Sequence, residues 1–243
     1  MTPIPSSRLA NALHLHSREL ISLVGGGGKS TLLFQLARNL GGSTIATTTT
    51  KMGEFQTGGL DVVEGPDADQ LQQRDRNTPV FVRRRVLKGK SIGVTAEQCD
   101  HWFADLALCD NIVVEADGAR HRPFKAPANF EPVLPTRTSL VLSVIGADAL
   151  GRVIADQCHR PLRVAAIAGC GPYERLTPQR AAVVLTSPDG PTKGSPATAR
   201  RVVVITKVPH EHDDPLTAEL VAELEIELAS AIDVVSIEFE RVG

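Results

Sequence analysis

Four consecutive glycines run straight into Lys-Ser-Thr at Gly25-Gly26-Gly27-Gly28-Lys29-Ser30-Thr31, and this constrains the chain more than any other feature. Before it, Leu20 to Val24 is an apolar run that reads as a strand. After it, Lys29 to Leu40 places Leu32, Leu33, Leu36 and Leu40 on one helical face, and Gly41-Gly42 supplies the stop. A strand that ends in glycines and continues into a helix is a physical arrangement for holding phosphate. Successive backbone N–H groups and the positive end of the helix dipole converge on one anion, and glycine lets the backbone come close. On this reading Gly25, Gly26, Gly27 and Gly28 wrap the phosphates, Lys29 neutralises the outer ones, the Ser30 hydroxyl holds Mg²⁺, and Thr31 reaches the inner phosphate. The expected ligand is a nucleotide with Mg²⁺. The Walker A pattern would place a further glycine five positions before the last. Leu23 stands there, inside the strand, so the loop is shorter or starts later.

Further apolar runs rich in Val and Ile continue the alternation: Ser43 to Thr47, Asn111 to Glu115, Ser139 to Ile145 and Arg201 to Thr206 read as strands, with helical segments over Thr95 to Leu108 and Asp214 to Ala231. The pattern predicts an α/β fold with a mostly parallel sheet flanked by helices. Pro79 to Val94, turning at Lys88-Gly89-Lys90, reads as an inserted antiparallel hairpin, and Thr186 to Arg200 as a surface loop. The 243 residues fit one domain spanning 1–243. A net charge of -2 gives no long-range field to gather a polyanion, so nucleic acid is not an expected partner. No stretch approaches the ~20 apolar residues of a membrane span. Met1 to His16 carries one arginine and no signal-length apolar run, so no membrane partner and a cytoplasmic location are expected. Cys99, Cys109, Cys158 and Cys170 show no two-residue spacing and read as reduced, mostly buried thiols.

Three polar constellations follow the strands. Ile112 to Gly118 is an apolar strand ending in Glu115-Ala116-Asp117-Gly118, the form of a Walker B strand: Glu115 and Asp117 share a face, either could meet the metal or orient the attacking water, and Gly118 senses the terminal phosphate. Thr47 to Lys51 follows the second strand, and Thr48 is the hydroxyl expected to complete the metal coordination. Arg120, Arg122 and Lys125 form a basic turn suited to an anionic substrate or to developing phosphate charge. The strand over 202–206 ends in Thr206-Lys207, where Lys207 would lie along the base. Pro209 occupies the position at which GTP-binding proteins carry Asp, which makes ATP at least as plausible as GTP. His210, His212, Asp213 and Asp214 read as a solvated turn with an Asp helix cap rather than a metal site.

Taken together, Val24 to Thr31, Ala46 to Lys51, Val114 to Arg120 and Ser143 to Gly151 resemble the YqeC family, and the likeness continues through His159-Arg160-Pro161, Leu176-Thr177-Pro178, Lys193-Gly194 and Ile205-Thr206-Lys207. The resemblance implies a P-loop NTPase-like protein with Gly25 to Thr31 as its phosphate loop and Glu115, Asp117 and Gly118 as its acidic turn. Ser30 stands where Thr is common, and Pro209 where Asp is common. It also implies a role in selenium cofactor biosynthesis or in maturation of selenium-dependent molybdenum hydroxylases, with such a hydroxylase or its cofactor as partner. Three activities fit these residues. One is an NTP hydrolase or phosphotransferase using Lys29, Glu115 and Asp117. Another is a nucleotide-dependent binding or switch module with negligible turnover. The third is a small-molecule kinase whose 186–200 loop closes over the acceptor.

Overall fold

The computed structural model describes residues 4–5, 9–40, 42–65, 68–209, 214–228 and 233–238. His210, His212, Asp213 and the helix stop Gly41 lie outside the described residues. The main sheet has nine strands: β1 (Ile4–Pro5), β2 (Leu20–Gly25), β3 (Thr44–Thr48), β4 (Asp61–Glu64), β5 (Val80–Arg83), β6 (Asn111–Glu115), β7 (Leu140–Gly146), β8 (Arg200–Thr206) and β9 (Asp233–Glu238). They lie in the order β1-β9-β8-β7-β2-β6-β3-β5-β4, and every neighbouring pair is parallel.

The central strands are apolar at almost every position because both faces of the sheet are covered. In β2, Ile21 and Leu23 pack with Leu32, Leu33 and Leu36 of the helix Lys29–Leu40, whereas Leu20 faces the opposite side with Ile112, Val114 and Trp102. Further along the sheet, Ile145, Val203 and Ile205 pack against the helices Pro161–Ala168, Pro178–Thr186 and Pro215–Leu228. The α/β class with a parallel sheet flanked by helices, expected from the sequence, is the observed architecture.

The 79–94 segment is divided differently from the expectation. Val80 to Val82 are buried and join the parallel sheet as β5, between β3 and β4. Only Arg85–Leu87 and Lys90–Ile92 form the antiparallel hairpin, and Lys51–Gly53 pairs with it to complete a separate three-stranded sheet. The helix expected over 95–108 runs from Ala96 to Ala104, capped at its start by the Thr95 hydroxyl and closed at Asp105.

From β2 the chain crosses by the helix Lys29–Leu40 to β3, leaving room for β6 between them. Strands β3 to β6 lie on one side of β2 and β7 to β9 on the other, so the strand order reverses beside β2. Because the strands are parallel, Gly25, Thr48, Glu115, Gly146 and Thr206 end at the same edge. Such a switch point is where open α/β sheets bind ligands.

Candidate functional site

The glycines at the end of β2 are required first by packing. A Cβ on Gly25 would stand 2.3 Å from Val144 O, one on Gly26 2.5 Å from Arg122 O, and one on Gly27 2.2 Å from Gly146 N. Gly25 and Gly27 also have φ of 94° and 83°, a region that other residues enter only with strain. Their amides point into the protein: Gly25 N–H donates to Asp117 Oδ2 (3.1 Å), Gly26 N–H to Val144 O (2.8 Å) and Gly27 N–H to Arg122 O (3.1 Å). The three residues expected to wrap phosphate therefore wedge the loop between the end of β7 and the 122–124 turn. Gly27, Gly28, Lys29, Ser30 and Thr31 line a cleft of about 830 Å³, whereas Gly25 and Gly26 lie behind its wall. Within that wall, the first-turn N–H groups of the helix have no helical acceptor four residues back and remain available to an anion.

Lys29 Nζ, nearly buried, donates to Gly25 O at 2.6 Å and stands 3.3 Å from Asp117 Oδ1 and 3.8 Å from Glu115 Oε1. Burial alone would lower its pKa, but the Asp117 and Glu115 carboxylates outweigh it and hold the ammonium above its ordinary range. Ser30 Oγ donates to Glu115 Oε2 at 2.8 Å. Burial raises the Glu115 carboxyl above its usual value, opposed by Lys29 and by the Ser30 hydroxyl. Asp117 is 1% exposed, and its Oδ1 faces Lys29 without a well-directed hydrogen bond. The Glu115 carboxylate and the Ser30 hydroxyl thus meet at the cleft wall beside a helix N-terminus, hard oxygen donors of the kind Mg²⁺ takes, while Asp117, expected as a metal ligand, lies behind them with its oxygens turned to Gly25 N–H, Lys29 and Lys125. Among the described residues no group of three or more His, Cys, Asp or Glu is arranged to hold a metal by itself.

The remaining expected residues are dispersed. Thr48, fully buried, donates through Oγ1 to Glu115 O (2.9 Å) and accepts from Thr50 N–H (3.0 Å). Its hydroxyl supports the end of β6, and Thr50 lines the cleft in its place. Gly118 lines the cleft, and a Cβ there would meet nothing within 4 Å. Lys207 sits at the rim and pairs with Asp148 Oδ2 at 2.8 Å, while the neighbouring Thr206 hydroxyl bonds Gly27 O. Of the basic turn, Arg120 and Arg122 line the cleft and Lys125 does not. Lys125 is buried, with Nζ 2.9 Å from Asp117 Oδ2, 2.7 Å from Gly118 O and 2.8 Å from Glu131 Oε2. Glu131 in turn receives both outer nitrogens of Arg160, at 2.7 and 3.2 Å. Asp214, expected to cap a helix, accepts from Thr217 N–H at 3.1 Å. The 187–199 segment contributes nothing to the cleft wall.

Glu131, His159 and Arg160 are cleft residues that the motifs did not single out chemically. The His159-Arg160-Pro161 triplet stood out only as part of the resemblance. Nothing in the sequence between them marks Glu131 as the partner of Lys125.

The model of the family described as YqeC protein matches residues 21–162. A protein of Escherichia coli (strain K12), named "Uncharacterized protein YqeC", is 35% identical over 195 residues, which cover 77% of this chain and 75% of that protein. No solved structure matches this chain. The family match takes in β2, the phosphate-loop candidate, the acidic turn and the Glu131–Arg160 pair, so the similarity covers the parts from which the cleft is built: the chain belongs to the YqeC family.

Proposed function

We propose that the cleft binds the phosphates of ATP or GTP with Mg²⁺ and supports hydrolysis or transfer of the terminal phosphoryl group. The observation that carries this reading is the joining of Lys29 and Ser30, on the first turn of a helix, to the buried carboxylates of Glu115 and Asp117. Ser30 and Glu115 are the groups that would hold Mg²⁺, since they already share a hydrogen bond at the cleft wall. That puts Glu115, rather than Asp117, at the metal. Asp117 takes a positioning role, gripping the Gly25 amide and steering the Lys29 ammonium. When bound, Mg²⁺ would offset charge on the phosphate oxygens. Lys29 supplies the second positive charge, the N–H groups of 28–31 the dipolar cradle, and Gly118 leaves open space against the terminal phosphate. Lys207, tethered by Asp148, stands at the far rim, where the base would lie.

The role that the resemblance implies, in selenium cofactor biosynthesis or maturation of a selenium-dependent molybdenum hydroxylase in the cytoplasm, belongs to this proposal and is supported by the family resemblance. Hydroxylase activity in cells lacking the gene tests it.

For the site itself, calorimetric titration of ATP and GTP with Mg²⁺ is expected to give one-to-one binding that Lys29→Ala abolishes. Ser30→Ala should remove the enhancement by Mg²⁺ while leaving metal-free binding. Phosphate release then separates an enzyme from a switch with negligible turnover. Absence of binding by either nucleotide sinks the reading.

A further inference from the structure

Seven Lys and Arg side chains line the cleft against two carboxylates, in a chain whose net charge is -2. Phosphate binding at the loop accounts for Lys29, and Lys207 is paired with Asp148. A group of cations remains on the other side of the phosphate loop. Lys207 follows β8, whereas Gly118 to Arg120 follow β6, and β2 with its loop lies between these strands in the sheet. The cleft therefore extends past the phosphates toward Arg120.

We propose that Arg120, His159 and Arg160 form a second anion-binding subsite, which takes the phosphate group of a small organic second substrate facing the terminal phosphate of the nucleotide. As a second-substrate site this rests on the nucleotide reading; as an anion site it does not.

Four observations build it. His159 is placed by parallel pairing of Cys158–His159 with Phe124–Lys125, which sets it opposite Lys125. Arg160, with a side chain 24% exposed, commits one N–H from each outer nitrogen to Glu131 and keeps the rest of its five donors for a ligand. Arg120 has no carboxylate within ion-pair distance among the described residues, and it is held with the adjacent His121 at φ of 49° and 61°. Two successive non-glycine residues in this region store strain of the kind found where a loop aims side chains at a ligand. Phe130, 76% exposed on the same wall, offers an apolar face for the organic part of the substrate.

The electrostatics agree with the geometry. Burial first, then the positive charges of Arg160, Lys125 and Arg120, push the His159 imidazole down to about 4, against the opposing charge of Glu131. The imidazole is thus neutral near pH 7, and of the three cations around it Arg120 is the one with no carboxylate partner among the described residues. A phosphate dianion matches two forked guanidiniums and accepts from a neutral imidazole N–H.

The test is calorimetric titration of inorganic phosphate into protein saturated with Mg²⁺ and a non-hydrolysable nucleotide analogue. One phosphate is expected to bind. Loss of a charge-assisted hydrogen bond should weaken it at least about tenfold in Arg120→Ala. That residue is exposed and outside the phosphate loop, so nucleotide affinity should be retained. Arg160→Lys, which keeps a cation for Glu131 but loses the fork, should also weaken phosphate binding. Phosphate that fails to bind the saturated protein, or binds equally to wild type and both variants, overturns the proposal. If wild type binds no nucleotide at all, the nucleotide reading fails separately. Phosphate is then titrated into Lys29→Ala, where one-site binding that a further Arg120→Ala change removes upholds the anion site, and absence of binding overturns it.

Discussion

Single residues carry more than one duty here, and Lys125 shows it best. From the sequence it belonged to a basic turn facing a ligand, yet its ammonium is buried between Asp117, Glu131 and Gly118 O. No local signal distinguishes it from Arg120 five residues earlier, because the burial comes with its partners Asp117, Gly118 and Glu131, which the fold brings around it. Lys125→Met would take one cation from each of two buried carboxylates, leaving Asp117 with Lys29 and Glu131 with Arg160, and is expected to cost about 1.5–3 kcal/mol in denaturant unfolding. Adding Glu131→Gln should recover part of the loss if the ion pair is its source. His159 makes a second prediction. Its pKa lies near 4 in the fold against an ordinary 6.5, so between these values the unfolded chain binds the extra proton. The folded protein therefore loses stability through this group as pH falls from about 6.5 to 4, and is unaffected by it above that window. Urea midpoints at pH 7 and pH 5 should fall further for wild type than for His159→Gln. The groups pressing on the imidazole are Arg160, Lys125 and Arg120, with Glu131 opposing.

At the scale of elements, the glycine loop was legible as a strand-to-helix turn, and so were β2, β3, β6, β7 and β8, because a strand buried on both faces reads as a short run dominated by apolar and β-branched residues rather than as an alternation. The hairpin region was harder: Val80-Phe81-Val82-Arg83 and Arg85-Val86-Leu87 are chemically alike, and only the pairing partner separates a parallel strand from a hairpin arm. The helices Pro161–Ala168 and Pro178–Thr186 were missed, since small residues blur their apolar faces. Within the loop, four identical glycines hide different requirements. Gly27→Ala would set a Cβ 2.2 Å from Gly146 N at φ 83°, and is expected to destabilise by about 2 kcal/mol or more. Gly118→Ala meets no atom within 4 Å and should change stability by less than about 0.5 kcal/mol. Its methyl group enters the cleft, so nucleotide affinity should fall several-fold at unchanged melting temperature. Equal behaviour of the two variants in melting and titration would show that the loop is not divided into a packed half and a binding half.

For the molecule as a whole, net charge misdescribes the surface that matters. The value of -2 averages a cleft walled by seven cationic side chains against an acidic remainder, and a field confined to a cleft selects a small anion where a broad basic face would gather a polymer. The same confinement joins the sheet to the ligand. The ends of β2, β3, β6, β7 and β8 all touch the glycine loop or the residues that hold it, so a ligand bound there would stiffen the edge on which both halves of the sheet converge. Binding to the folded state alone raises stability by about 2.7 kcal/mol at a hundredfold excess over Kd, and in a chain of this size each kcal/mol is worth about 2–4 °C. Saturating Mg-ATP or Mg-GTP should therefore raise the melting temperature by about 5–10 °C. EDTA should reverse most of the shift, because the Glu115 carboxylate at the cleft wall would then face the phosphates with only Lys29 to separate like charges. Lys29→Ala should show no shift with either nucleotide. A shift that survives both EDTA and Lys29→Ala would place the nucleotide somewhere other than this cleft.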